Sequence, residues 1–354
     1  MIALVLERYL KRYAQAFAKT DRDMWNYEDG CVLIGLMALC EATGEESYFQ
    51  AVKTFMDRYI LADGTIRRYD MSAWNVDMIP SGRALFPLYA RTGDMRYRAA
   101  IETLMEQLRS QPRTKTGSFW HKAIYPNQVW LDGLYMALPF YTMYENAFGG
   151  SGYGDIALQF ENVRKTLFDE KERLHYHAWN ETRDVFWADK KNGLSQNFWS
   201  RAIGWHLMAL VDVYGLMPET QQQHRETLAA LFREAMDGML LHQDGESGLF
   251  YQLTALPDLA GNYLETSASL MVAYALLKGV RLGVLIDARY QNAAEAVLFG
   301  IMTRKMAFSN GRLSLTGICK GAGLGPEGNF KRDGSAAYYL SEEVVCDEQK
   351  GVGV

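Results

Sequence analysis

The stretch WLDGLYMALPFY, residues 130–141, decides how this chain folds. Within it Leu134, Ala137, Leu138 and Tyr141 recur at i, i+3, i+4 and i+7, the spacing of one apolar helix face. Asp132 falls at the mouth of that helix rather than in its middle. The partial positive charge of the helix end favours a carboxylate there. The flanking Trp130 and Tyr135 exclude water and favour the neutral acid. A carboxyl group drawn toward both forms is a candidate acid/base. The plainer alternative is that Asp132 caps its own helix.

Working outward, apolar helices alternate with mixed-polarity ones. CVLIGLMALC (31–40) is apolar almost all round, as expected of a buried helix. TGEESYFQAVKTFMDRYI begins at Thr43, and its pattern returns at Thr92 as TGDMRYRAAIETLMEQL. Each copy follows a more apolar helix that ends in a small turn, GLMALCEATG and then GRALFPLYARTG, so an internal repeat of inner helix, turn and outer helix emerges. The pattern predicts inner helices over 29–42, 76–91, 131–146, 198–215 and 265–282. Six outer ones include 2–18 (with Leu4, Leu10, Tyr13 and Phe17 on its apolar side), 155–170, 220–240 and 287–304. Residues 176–189 read as a short hairpin and GRLSLTGI as an extended stretch. The glycine-rich segment from Gly317 onward reads as an irregular loop. No low-complexity linker divides the chain, so residues 1–354 are expected to form a single all-α domain, an (α/α)6 barrel or six-hairpin toroid. An open solenoid of hairpins is the runner-up. Eleven helices leave the ring one short, and the last inner or closing helix is missing from the count.

Composition narrows the function. Hydrophobic residues are 49 % and charged residues 22 %, ordinary for a globular protein. The net charge of −5 without a basic run offers no footprint for nucleic acid or an anionic membrane. No apolar run reaches a spanning length, and Glu7 and Arg8 come too early for a secretory signal. Cys31, Cys40, Cys319 and Cys346 suggest no disulfide framework, so a cytoplasmic location is expected.

The first turns of the five apolar helices carry an aromatic residue beside a charged one. In order these are Trp25 with Glu28 and Asp29, Trp74 with Asp77, Trp130 with Asp132, Trp199 with Arg201, and Tyr263 with Glu265. In a ring of parallel inner helices these starts converge on one mouth. Aromatic faces suit sugar C–H groups and charged groups suit hydroxyls, so the pattern points to a carbohydrate site. Any one pair is better explained by packing tryptophan between helices and by acids favouring helix starts, an explanation that loses ground when all five are taken together. Asp77 and Asp132 form the obvious carboxylate pair for glycoside chemistry. His121, His175 and His177 share this aromatic-rich region. His175 and His177 invite a metal reading, but no third ligand stands at a sensible spacing. No nucleophile-elbow, zincin or P-loop pattern is present, and GAGLGPEG lacks the strand and helix of a dinucleotide site.

Several of these stretches together resemble the unsaturated rhamnogalacturonyl hydrolases of glycoside hydrolase family 105. They are WLDGLYMALPFY, FWSRAIGW (198–205), ETSASLMVAYALLKG (265–279), NVDMIPSGRAL (75–85) and GICKGAGLG (317–325). The resemblance runs from about Trp25 to Gly351 in the right order, and the family 88 unsaturated glucuronyl hydrolases are the near alternative. It implies an (α/α)6 barrel that hydrolyses oligosaccharides with no metal or nucleotide cofactor. The substrate would be the 4,5-unsaturated uronic acid that a polysaccharide lyase leaves at a non-reducing end, and the reaction hydration of its vinyl ether. By match to the family motif, Asp132 is the general acid/base and Asp77 the second acid. His177 lines the subsite, with Trp199 and Arg201 as aromatic and cationic partners. Trp25, Trp74, Trp130, Trp205 and Glu265 complete the expected sugar contacts. Two departures stand out: Ala202-Ile203 where many members have Gly-Asn, and no final helix after Gly351-Val352-Gly353. Other readings are a sugar epimerase or isomerase, which needs histidine proton shuttles, and a sugar-binding toroid without catalysis, which has no need of both acids.

Overall fold

A computed structural model describes residues 2–22, 24–309 and 311–354, with side chains from residue 5 onward, so Leu4 lies outside the described side chains. The chain is an (α/α)6 toroid. Its inner ring runs α2 (Tyr27–Thr43), the segment Pro80–Ala84 continued by α4 (Leu85–Thr92), α6 (Leu131–Phe148), α8 (Ser200–Leu216) and α10 (Thr266–Arg281). The outer helices are α1 (Ile2–Ala18), α3 (Glu46–Tyr59), α5 (Met95–Ser110), α7 (Tyr153–Leu167), α9 (Gln222–Leu240) and α11 (Ala288–Gly300). Each inner helix packs on the outer helix that follows it, as the repeat predicts. The polarity contrast is physical: α8 is buried continuously from Ser200 to Val213, whereas α9 buries one stripe that includes Leu228, Phe232 and Met239.

The sixth inner position is taken by residues 349–352. After the short α12 (Ala336–Ser341), the one-turn α13 (Gln349–Val352) packs against both α2 and α10 and completes the circle. Glycine makes this possible. A Cβ built on Gly35 of α2 would lie 2.4 Å from the Gly353 carbonyl oxygen. Polar bonds fix the register: Gln349 donates to Asp29 at 2.6 Å and Lys350 to Glu28 at 2.6 Å. An apolar groove beside α13 stays open, lined by Leu10, Leu36, Leu270, Leu298, Met302 and Leu313. Gly35→Ala weighs two effects. Helix propensity gains about 1 kcal/mol, but overpacking a close contact costs about 1–3 kcal/mol. The expected result is net destabilisation, read as a lower denaturant midpoint; a raised midpoint would show that α13 does not hold its place.

Three sequence expectations need correction. Residues 76–91 are not one helix: Pro80 has no N–H to bond back to Val76, so Val76–Met78 and Pro80–Ala84 tighten into 3₁₀ turns before α4 begins. Residues 176–189 do not fold on themselves. Ala178–Asn180 pairs antiparallel with Gln128–Trp130, and Leu174–His175 with Phe168–Asp169. The glycine-rich segment after Gly317 is not wholly irregular, since Ser335 caps α12 through Tyr338 N–H at 3.1 Å. Among the described residues, no helix is long and apolar enough to cross a membrane.

Candidate active site

The pairing of 128–130 with 178–180 builds the site. It sets Trp130 opposite Ala178, and the Leu131 N–H donates to the His177 carbonyl at 3.0 Å, so His177 arrives beside the first turn of α6. Asp132 does not cap that helix: Trp130 occupies the cap position, and no hydrogen bond ties the Asp132 carboxyl to the helix backbone. Instead its Oδ2 lies 3.1 Å from His177 Nε2. Both atoms are buried and neither has a hydrogen-bond partner among the described residues, so they are close without being aligned.

The second acid has a different setting. Asp77 sits on the Val76–Met78 turn, whose Asn75 side chain accepts from the Asp77 N–H at 3.0 Å. Its carboxylate meets Lys122 Nζ at 2.5 Å and His121 Nε2 at 3.4 Å. Burial pushes the Asp77 carboxyl up, but the Lys122 ammonium and then His121 outweigh it and hold the group below the usual carboxylate range. Burial pushes His121 down to about 4, although Asp77 pulls the other way, so its ring is neutral near pH 7. That ring stacks on Trp130 at 4.5 Å and 8°, and packs so close to α6 that a Cβ on Gly133 would lie 3.2 Å from His121 Nδ1. His121 therefore stands between the Asp77 turn and the start of α6.

Aromatic rings wall the pair. Trp199 lies 4.8 Å from the His177 ring and donates through Nε1 to Gln252 at 3.1 Å. Arg201, fully buried, donates to the Cys319 carbonyl at 2.5 Å and to Ser267 at 3.1 Å, with its Nε and Nη2 left unpaired. Glu265 lies 3.9 Å from it, accepts from the Ala268 N–H and so caps α10. The fold thus brings together Asp77, Trp130, Asp132, His177, Trp199, Arg201 and Glu265. Trp74 is half-buried on the turn leading to Asp77. Two tryptophans stand apart: Trp25 packs on Tyr59 between the rings and donates to the Met78 carbonyl at 2.6 Å, and Trp205 stacks on Tyr135 deeper in the barrel. His175 also diverges from His177, its ring lying 4.5 Å from His206, on the side of α8 that packs near Phe160 of α7.

Lys122, Tyr339 and Gln252 were not found from sequence. Lys122 follows His121 and carried that much of a signal; Tyr339 had none, since it enters from α12. Chemically, the arrangement offers one carboxylate held charged, one carboxyl group facing a histidine, and stacking surfaces between them.

Comparison with known proteins gives consistent results. The family described as Glycosyl Hydrolase Family 88 matches residues 1–354. A family 105 glycoside hydrolase of C. acetobutylicum ATCC 824 superposes with a TM-score of 0.92 at 40 % identity, over 97 % of this chain and 95 % of that one. The unsaturated rhamnogalacturonyl hydrolase YesR of Bacillus subtilis (strain 168) is 29 % identical over 305 residues, 84 % of this chain and 80 % of that protein. The unsaturated glucuronyl hydrolase of Bacillus sp. GL1 shares the fold, with a TM-score of 0.58 at 16 % identity over 84 % of this chain and 80 % of that one.

Proposed function

The chain belongs to the glycosyl hydrolase family 88 and 105 group of unsaturated uronyl hydrolases, and on that premise we propose that it removes the 4,5-unsaturated uronic acid from the non-reducing end of lyase-generated rhamnogalacturonan oligosaccharides. The observation that carries the chemistry is the unequal setting of the two carboxyl groups. Asp77 is locked as an anion by Lys122, which suits it to accept hydrogen bonds from ring hydroxyls and not to donate a proton. Among the described residues Asp132 makes no ion pair with a lysine or arginine, and it faces His177, the setting of a group that gives and takes a proton.

In this reading Asp132 gives its proton to C4 of the vinyl ether. The electron pair of the C4=C5 bond forms the new C–H bond, and the ring oxygen stabilises the cation left at C5. Water adds to C5 and returns a proton to Asp132. The resulting hemiketal opens to a ketone, and the neighbouring sugar leaves C1 as a free alcohol. The substrate is an anion, and Arg332 supplies a cation beside Trp130: it makes no ion pair among the described residues, and a Cβ on Gly323 would lie 3.2 Å from its Nη1 and 3.3 Å from the Trp130 ring. The choice of rhamnogalacturonan over glucuronides draws on the name of the B. subtilis relative.

The test follows the ultraviolet absorbance of the conjugated double bond with unsaturated rhamnogalacturonan and glucuronyl disaccharides in parallel. Faster loss on the rhamnogalacturonan disaccharide supports the proposal; faster loss on the glucuronide overturns its substrate, and loss on neither overturns the activity. A variant probes the role of Asp77. Lys122→Met removes the main counter-charge, so the Asp77 carboxyl rises and must be deprotonated at higher pH. The acid limb of the kcat/KM profile is expected to move up in pH. An unmoved limb would show that Asp77 need not be ionised.

A further inference from the structure

His177 is fully buried, and its ring has two polar neighbours: Asp132 at Nε2, and Tyr339 at Nδ1, where the phenol oxygen lies 2.6 Å away. Tyr339 is itself fully buried. Burial first, and then the neighbouring Tyr338, hold its phenol well above the ordinary range, so it keeps its proton. That proton needs an acceptor, because a buried O–H without one costs about 1–3 kcal/mol. The His177 Nδ1 is the acceptor within reach: the Tyr339 hydroxyl makes no other hydrogen bond among the described residues. The position is braced rather than accidental. Gln252 donates to the Tyr339 carbonyl at 3.4 Å and accepts from Trp199, whose ring packs against both His177 and Tyr339.

We infer that Tyr339 is a positioning residue for the reaction proposed above: by donating to Nδ1 it fixes His177 as the Nε2–H tautomer, facing Asp132. The alternative tautomer, with hydrogen on Nδ1, strands the Tyr339 proton. So does the imidazolium, which carries hydrogen on both nitrogens. Tyr339 therefore disfavours both. The consequence falls on Asp132. A neutral Nε2–H turns its hydrogen toward Oδ2, 3.1 Å away, without a full positive charge, before and after proton transfer, and leaves Oδ1 to carry the proton toward C4. An imidazolium at 3.1 Å would pair with the carboxylate and hold it in the form that cannot donate. No proton moves along the tyrosine; it selects the state of the histidine.

The inference rests on the hydrolase reading for its consequence but not for its first test. Nitrogen NMR of the chain labelled in its six histidines reports the tautomer directly, with His177→Gln assigning the signal. The expected result near pH 7 is a bare Nδ1 and a protonated Nε2 in the wild type, changed in Tyr339→Phe. A protonated Nδ1 in the wild type, or an unchanged signal in Tyr339→Phe, overturns the inference. Kinetics then test the consequence: Tyr339→Phe, which keeps the ring, should lower kcat about tenfold with KM little changed and move the basic limb of the pH profile down. A rise in KM with an unmoved limb would make Tyr339 a packing residue and overturn the role assigned. If the tautomer is as stated but no unsaturated uronide is turned over, the hydrolase reading falls and the tautomer assignment stands.

Discussion

Asp132→Asn is expected to lower kcat on an unsaturated uronide by about 10²–10⁴-fold, the usual scale for removing a general acid/base. The amide matches the carboxyl in shape and can still meet His177, so KM and the unfolding midpoint should stay close to wild type. What is lost is the transferable proton. Asp132 makes no helix cap or structural hydrogen bond whose loss would confuse the result. Loss of kcat alone, with the folded state intact, marks an interaction needed only in the transition state. Activity within a few-fold of wild type would remove Asp132 from the chemistry and return the search to Asp77 and His121. The measurement is the decay of the vinyl-ether absorbance under saturating substrate, paired with a denaturant melt of the same preparation.

The second large effect lies at the other end of α8. Asp212 follows Arg201 by 11 residues, about 16 Å along the helix axis at its standard rise, and is 1 % exposed. It meets Arg83 at 2.8 Å, Lys278 at 2.6 Å and the Tyr274 hydroxyl at 2.7 Å, joining three inner segments of the ring. Asp212→Asn keeps the shape but leaves the buried Arg83 and the partly buried Lys278 facing an amide. Breaking such a pair on one side costs about 3–5 kcal/mol, far more than an exposed pair contributes. The expected result is a loss of that size in a denaturant melt, with Lys278→Met added to the same chain recovering part of it. A loss below about 1 kcal/mol would show that water already reaches the cluster.

The pH dependence has a definite sign. Burial pushes the Asp212 carboxyl up, but Lys278 and then Arg83 outweigh it and hold it at about 2. The folded value is therefore below the unfolded value of about 4, so the stabilisation is full above pH 4 and disappears as the pH falls through about 2. Wild type and Asp212→Asn should converge across that window. A gap that stays constant down to pH 2 would place the effect in packing rather than charge.

Much of the architecture was legible in the sequence because it rests on periodic burial. The 3.6-residue apolar stripes, the repeat at Thr43 and Thr92, and the contrast between inner and outer helices all follow from which faces must leave water. The errors lie where one local rule overrode that period. Pro80 broke the helix expected over 76–91, and Ala178–Asn180 found its partner across the chain rather than next door. The aromatic and acid pairs at helix starts located the mouth, yet Glu28 and Asp29 hold α13, and Trp25 fills the wall. A residue's place in a repeat sets its height in the ring; it does not set the direction its side chain takes.

What the sequence determined by itself is therefore the helical toroid, the end at which polar groups gather and the two acids among them. Tertiary structure alone decided how those acids differ. Lys122 charges Asp77, while His177 faces Asp132 and is held from behind by Tyr339, 162 residues away in the chain. Burial is written as a period that one sequence can display. A polar contact between distant segments has no period, and it exists only once the ring has closed and excluded the water that would otherwise satisfy each group alone.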